Sequence, residues 1–270
     1  MSTVVISRGI LDGSTAERLR TLPLIEKSHF SISICSRRLP WLGNGSANKM
    51  SSHSTNSEGI VRTGNFTNES LHAIAQQQPK IIAISQETGQ KGSLARLASD
   101  GLCLLNKGRT PVLLLPTPFS APSSGRVLIA AMCSGIPSVT DGTSIPGLLD
   151  LNGREVVVMS IARPFHPPFT RVAMAMRGNQ SRALREIWEE QTGEATVQAE
   201  LIATHLSKCG KKPLFVGRTG RFANEVCQAS RSADTSLVCL LMGQRARKWL
   251  NKSVLIELLE KANAPILLVP

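Results

Sequence analysis

Two stretches of this chain repeat one pattern of residues. TGNFTNES occupies residues 63–70, and TGRFANEV occupies residues 219–226, 156 positions later. A second pair follows in the same order, with TPVLLLP at 110–116 and APILLVP at 264–270. Two patterns that recur in one order and at nearly one spacing predict that the chain contains two related structural units.

Apolar runs and helical spacings alternate within each unit. In the first unit they predict a strand at 59–63, a helix at 68–78 capped by Asn68, a strand at 81–84, a helix at 93–106 and a strand at 112–115. In the second unit they predict a strand at 213–216, a helix at 223–232, a strand at 237–242, a helix at 253–262 and a strand at 266–269. This alternation is typical of an α/β fold, in which right-handed crossovers produce a parallel sheet covered by helices on both faces.

Further elements are predicted upstream of each unit. They are strands at 4–7, 30–35, 127–130 and 156–161, and a long helix at about 181–208 that is broken near Gly193. The first unit lacks the long helix, and in its place residues 37–59, rich in Ser, Asn and Gly, predict a mobile loop. Pro and Ser are frequent at 116–125, which predicts a linker and assigns residues 1–120 and 121–270 to separate domains.

Composition limits the class of protein. A chain of 270 residues that is 41% hydrophobic is long enough for two domains, each with its own buried core. Its apolar runs are too short to span a bilayer, so we expect a cytoplasmic protein without membrane insertion. Six cysteines without a CxxC pair predict buried, reduced thiols and neither a metal site nor disulfides. A net charge of +12 is compatible with an acidic partner, but 4% aromatic residues and no Tyr make nucleic acid an unfavoured one.

The element order, the Thr-Gly-x-Phe pattern and the proline-bounded last strand of each unit together resemble the universal stress protein family. The chain is most similar to a tandem member with two such domains, and the resemblance is good over 58–116 and 213–270. It implies two doubly wound, HUP-like α/β domains related by a pseudo-two-fold axis through their last strands, 112–115 and 266–269. Such pairing would satisfy two exposed sheet edges. Two domains without this pairing are the alternative.

Many members of that family bind ATP through a loop of the form Gly-x2-Gly-x9-Gly-Ser/Thr. Glycines allow the backbone to approach phosphate oxygens, and N–H groups at a following helix start donate to them. The corresponding residues are Ser85, Thr88, Ala98 and Ser99 in the first unit, and Gly243, Ala246, Lys252 and Ser253 in the second, whose loop is four residues shorter. The loop is therefore degenerate in both units, and we expect either ATP or no cofactor.

An aspartate after the first strand is the other nucleotide-binding feature that the resemblance implies. Asp12, in LDGST at 11–15, resembles this aspartate, and Asp141 is the corresponding candidate in the second unit. A solvated aspartate in an Asp-Gly turn is the alternative interpretation of both.

The loop at 243–253 is strongly basic. Residues 208–261 contain 11 Lys and Arg and 4 Asp and Glu, which accounts for +7 of the total charge of +12. Side-chain cations could replace glycine contacts in a phosphate or anion site, with a solvated loop as the alternative. The candidates are Arg245, Arg247, Lys248 and Lys252, together with Arg218 and Arg221 from the neighbouring repeat.

The order of residues supports no catalytic arrangement, because the five histidines show no ligand spacing and no Ser/His/Asp order can be argued. The sequence predicts a stress-response-type binding protein without enzymatic activity, which acts through protein association, self-association or ligand sensing. The alternative is a nucleotide-binding universal stress protein whose first unit retains a site around Asp12 and Ser99. A basic nucleic-acid-associated module is a weaker third interpretation.

Overall fold

The computed structural model describes residues 3–8, 19, 21–24, 29–35, 48–51, 58–63, 65–85, 92–116, 125–133, 145–164, 180–208, 212–231, 234–242, 250–262 and 264–270. The predicted domain boundary near residue 121 lies outside these residues and stays a prediction.

One sheet of eleven strands runs through the described residues. The strands are β1 (Thr3–Arg8), β2 (His29–Cys35), β3 (Asn48–Ser51), β4 (Glu58–Thr63), β5 (Ile81–Ser85), β6 (Val112–Leu115), β7 (Arg126–Met132), β8 (Val156–Ala162), β9 (Leu214–Thr219), β10 (Thr235–Leu241) and β11 (Ile266–Val269). Their order is β3-β4-β2-β1-β5-β6-β11-β10-β7-β8-β9. Neighbouring strands are parallel except at β3–β4 and β6–β11. The predicted α/β class with a mostly parallel sheet is confirmed.

Five α-helices cover the two faces of the described sheet. They are α1 (Phe66–Gln77), α2 (Ser93–Gly108), α3 (Gln180–Ser207), α4 (Phe222–Arg231) and α5 (Lys252–Lys261). The predicted N-cap of α1 was wrong. Asn65, and not Asn68, caps this helix, because Asn65 has an extended backbone and its Oδ1 accepts from the N–H groups of Thr67 and Asn68 at 3.0 and 3.3 Å.

The predicted break in α3 is absent. The helix spans 28 residues, Gln180–Ser207, and passes through Gly193 without interruption. A glycine inside a helix costs only about 1 kcal/mol relative to alanine, whereas the next turns bury Ala195, Ala199 and Ile202 against the sheet. Tertiary packing therefore outweighs the local preference at this position.

The prediction of a loop over 37–59 was also wrong in part. Residues 48–51 form β3, which pairs antiparallel with β4, and β4 itself begins at Glu58. The segment NKMS has no apolar alternation, and the backbone of β4 provides the hydrogen-bonding edge on which β3 forms.

The last strands of the two halves meet at the centre of the sheet. β6 and β11 pair antiparallel, with Leu113 opposite Leu267. Both strands are buried along their whole length. The preceding prolines are placed alike, since the carbonyl of Pro111 accepts from the N–H of Ile82 at 2.9 Å and that of Pro265 accepts from Val238 at 3.0 Å.

Two apolar cores lie on opposite faces of the sheet, and each contains residues from both halves of the chain. One core is formed with α1, α2, α4 and α5, and it includes Leu114 and Leu268. The other lies beneath α3 and the segments at 19–24 and 145–151, and it includes Leu113 and Leu267. Both cores continue across the join between the two halves, because β6 and β11 contribute to each.

Arg154 connects both halves at one edge of the second core. Its guanidinium donates to the carbonyl of Thr21 at 3.2 Å and to the Oγ of Ser236 at 3.0 Å. Desolvation lowers the pKa of Arg154, while the nearby carboxylate of Asp150 raises it. The segment at 19–24 is also joined to this region by the bridge between Leu24 and Leu149.

Close packing between α3 and β9 generates a testable prediction. A Cβ at Gly217 would overlap the backbone nitrogen and Oγ1 of Thr196, whereas a Cβ at Gly193 would meet nothing within 4 Å. We expect Gly217→Ala to lower the free energy of unfolding by about 1–3 kcal/mol through overpacking. Gly193→Ala is the matched control and should raise it by up to about 1 kcal/mol. Urea titration measures both changes, and an unchanged Gly217→Ala would contradict the packing described.

Candidate functional site

The repeated Thr-Gly-x-Phe pattern forms the turn between β9 and α4. The N–H of Gly220 donates to the carbonyl of Ala162 at 2.9 Å, which fixes this turn to the end of β8. A Cβ at Gly220 would lie only 2.6 Å from Oε1 of Glu225. A side chain at this position would displace the Glu225 side chain, which folds back against the turn.

The first half uses the same residues at the start of α1. Phe66 is its first residue, and the N–H of Glu69 donates to the carbonyl of Asn65 at 3.0 Å. In α4 the N–H of Glu225 donates to the carbonyl of Arg221 at 3.1 Å. The repeated phenylalanines both pack on the core formed with these helices. The repeat therefore encodes a strand-to-helix turn in both halves.

Two threonines connect this turn to α3. The Oγ1 atoms of Thr219 and Thr192 are 2.8 Å apart. Thr192 donates its hydroxyl proton to the carbonyl of Trp188 at 2.7 Å, so Thr219 is the donor to Thr192. Trp188 is 46% exposed. It lies one turn before Thr192, near the end of α3 that meets the carboxyl end of β9.

Both arginines that the repeat contributes to the predicted anion site are paired with carboxylates. Nη1 of Arg218 lies 3.1 Å from Oε2 of Glu225 and 3.3 Å from Oε1 of Gln228. Nη2 of Arg221 lies 2.8 Å from Oε2 of Glu257, whose other oxygen is 2.7 Å from Nζ of Lys261. A phosphate would have to compete with these carboxylates for both guanidinium groups.

The surroundings of Glu257 lower the pKa of its carboxyl group. The hydrogen bond from Lys261 lowers the pKa of Glu257, desolvation opposes it, and the charges of Arg221 and Lys261 lower it further. The carboxylate is thereby held in its charged form, which keeps it available as the partner of Arg221.

The remaining second-half candidates are only partly described. Lys252 and Ser253 are exposed in the first turn of α5. The side chain of Asn251 caps this helix by accepting from the N–H of Val254 at 3.0 Å. The other candidates lie outside the described residues, so their convergence with Lys252 stays a prediction. They are Gly243, Arg245, Arg247 and Lys248.

In the first half, the described candidates do not come together at a helix start. Ser85 ends β5 opposite Leu115 of β6, and Ser99 is exposed six residues after α2 begins, about 9 Å along its axis. The residues at the start of α2 are Gly92 and Ser93, a Gly-Ser pair six residues before Ala98 and Ser99. Gly92 is the N-cap residue of α2 and has a φ of 76°. Because glycine has no side chain, it provides no side-chain hydrogen bond to cap the helix. Asp12, Thr88 and Asp141 lie outside the described residues.

Four cysteines of the described part of the chain are free thiols. Cys227 and Cys239 are buried and free, and Cys103 and Cys133 are half-buried and free. Burial raises the pKa of Cys239 to about 12.

The described ranges contain no group of three or more His, Cys, Asp or Glu residues that could hold a metal ion. Among the described helices, none has the length and apolar character needed to cross a membrane.

The fold resembles solved structures of low sequence identity. A candidate universal stress protein from Pseudomonas aeruginosa UCBPP-PA14 matches with a TM-score of 0.56 at 15% identity, over 99% of this chain and 92% of that one. A universal stress protein from Archaeoglobus fulgidus DSM 4304 matches with a TM-score of 0.54 at 12% identity, over 98% and 95%. A protein of unknown function from Pseudomonas aeruginosa PAO1 gives 0.53 at 14%, over 100% and 92%. No family model and no curated protein matches the sequence. The chain therefore has a universal stress protein-like fold.

The Glu257 ion pairs predict a pH-dependent stability. Because the pKa of Glu257 is lowered on folding, its contribution is present at neutral pH and is lost as the pH falls through the folded-state pKa. We expect Glu257→Gln to lower the free energy of unfolding at pH 7 by up to about 1 kcal/mol, and the difference from wild type to shrink below about pH 4. The control is Glu260→Gln, an exposed position on the same helix. Urea titration across pH tests this, and a pH-independent difference would contradict the assignment.

Proposed function

We propose that this chain is a non-catalytic regulatory protein of the universal stress type, which acts in the cytoplasm by associating with protein and does not turn over a nucleotide. One observation carries the proposal. Both arginines of the β9–α4 turn are paired with carboxylates of the same half, Glu225 and Glu257. A site that binds phosphate needs cations or N–H groups that are free to receive it. At this turn, both guanidinium groups already have carboxylate partners within the chain.

The distribution of exposed apolar residues supports association as the mode of action. Over the described ranges, every large exposed apolar side chain lies on α3 or β9: Trp188 (46% exposed), Val197 (52%), Leu201 (39%), Leu214 (58%) and Phe215 (45%). Single exposed apolar residues are ordinary on a protein surface, and their occurrence on two adjoining elements is the observation that favours association.

Nucleotide binding in the first half is the second candidate function. The start of α2 favours it, because Gly92 provides no side-chain acceptor and a Cβ there would meet nothing within 4 Å. N–H groups at a helix start can bind phosphate. In the second half, by contrast, the side chain of Asn251 already accepts from the first turn of α5. The nucleic-acid interpretation rests on net charge alone, and we do not propose it.

Isothermal titration calorimetry with ATP and with tripolyphosphate tests the proposal directly. For the wild-type chain we expect no binding heat at sub-millimolar ligand and no phosphate release in a turnover assay. The double variant Glu225→Gln, Glu257→Gln frees Arg218 and Arg221, so it should bind tripolyphosphate more tightly than wild type. Phosphate release by the wild type would overturn the non-catalytic assignment. An unchanged affinity in the double variant would show that the carboxylates are not what excludes phosphate.

A variant at Gly92 distinguishes the two candidate functions. If the first half binds ATP, Gly92→Asp should abolish binding, because a carboxylate at the helix start repels phosphate and competes for the same N–H groups. Aspartate tolerates a positive φ better than most residues, so the fold should persist. Ser253→Asp, in the first turn of α5, is the matched control and should leave binding unchanged. ATP binding by wild type that Gly92→Asp removes would favour the second candidate over the first.

A further inference from the structure

The sequence Asn152-Gly153 lies in an exposed turn of the second half. The N–H of Arg154 donates to the carbonyl of Leu151 at 3.3 Å, which closes a turn of four residues. Gly153 is the third residue of this turn and has a φ of 68°, a conformation that favours glycine. Both Asn152 and Gly153 are exposed, and a Cβ at Gly153 would meet nothing within 4 Å. Solvent therefore reaches both residues.

The backbone nitrogen of Gly153 differs from the nitrogen that follows another exposed asparagine. Among the described residues, none accepts a hydrogen bond from the N–H of Gly153. Asn224 is also exposed, but the N–H of the next residue, Glu225, donates to the carbonyl of Arg221 at 3.1 Å. A nitrogen held in a helix cannot approach the side chain before it, whereas the nitrogen of Gly153 is not held in this way.

We propose that Asn152 is a site of spontaneous deamidation. The backbone nitrogen of Gly153 loses its proton to solvent base and attacks Cγ of Asn152, and glycine favours this attack because it has no side chain beside the nitrogen. The new N–Cγ bond closes a cyclic imide, and the side-chain nitrogen leaves as ammonia. Water then opens the ring at either carbonyl and yields aspartate or isoaspartate at position 152. The chain is neither oxidised nor reduced, and the proposal does not depend on the proposed function.

The turn that would be modified joins the two halves of the chain. The N–H of Asp150 donates to the carbonyl of Pro23 at 3.0 Å, and the guanidinium of Arg154 donates to the carbonyl of Thr21 at 3.2 Å. Asp150 also contacts the turn itself, because its Oδ1 accepts from the N–H of Asn152 at 3.1 Å. A change in the backbone of this turn therefore acts on the contacts between the halves.

Isoaspartate is the product that disturbs this join. Asn152 is two positions from both Asp150 and Arg154, so the charge of a new carboxylate acts on these two residues in opposite directions. Isoaspartate in addition inserts a methylene group into the backbone of the turn. The four-residue geometry that positions Arg154 cannot accommodate the longer backbone. We expect the contacts to Thr21 and Pro23 to weaken as a result.

Incubation of the full chain, followed by peptide mapping with mass spectrometry, tests the site. We expect conversion of Asn152 in the folded chain, faster at mildly alkaline than at neutral pH because the attacking nitrogen must lose its proton. Asn224 in the same sample is the matched internal control and should remain unchanged. The variant Asn152→Gln should lose the conversion, since its longer side chain would have to close a larger ring. Peptide mapping separates the other Asn-Gly pair of the sequence, Asn44-Gly45.

The same incubation in urea provides the unfolded reference. If Asn152 is converted only in urea, or no faster than Asn224 in the folded chain, the proposal is overturned. Neither readout involves a nucleotide or a partner, so the result is independent of the proposed function.

Hydrogen exchange measures the effect on the join. In chain that contains isoaspartate at position 152, we expect faster exchange of the N–H of Asp150, which is bonded to Pro23, than in fresh chain. The variant Asn152→Asp carries the carboxylate without the added methylene group, so its exchange should stay close to that of wild type. Equal exchange in fresh and converted chain would overturn the effect on the join.

Discussion

The antiparallel pair of β6 and β11 is the interaction on which the rest of the structure depends. Each strand is only four residues long, yet each is buried on both faces. A strand covered on both faces must be apolar at every position, which explains the continuous runs VLLL and ILLV. Alternate residues enter opposite cores, so Leu113 and Leu114 of one strand contribute to different faces. Without this pair, both cores would end at exposed edges.

The features predictable from the sequence are those in which local pattern and burial agree. The apolar runs bounded by Pro111 and Pro116 could be assigned because length, flanking prolines and branched side chains all favour a buried strand. Where tertiary contacts determine the local structure, the prediction from the sequence was wrong. β3 forms because β4 offers a backbone partner, and α3 passes through Gly193 because the following turns are anchored on the sheet.

The candidate site was less predictable than the fold, for a physical reason. A spacing pattern identifies a helix start only if the loop before it has the expected length, and here the first-half loop places Gly92 and Ser93 at the start of α2 instead of Ala98 and Ser99. The ion pair between Arg221 and Glu257 joins the β9–α4 turn to α5, 36 positions further along the chain. No sequence periodicity connects such residues, so a cluster that is basic in sequence is partly neutralised in space.

The direction of the central pair also limits how the two halves can cooperate. Within each half the strands from β1 to β6, apart from β3, and from β7 to β11 are parallel, while β6 and β11 are antiparallel. The two sets of strands therefore run in opposite directions, and their carboxyl ends lie at opposite ends of the sheet along the strand direction. Ligands of open α/β sheets bind outside the carboxyl ends of the strands. The cations near the β9–α4 turn consequently cannot complete a site at the start of α2, and a ligand site in one half would be separate from one in the other. Because the two halves are independent in this respect, their loops could diverge while the turns of the repeat were preserved.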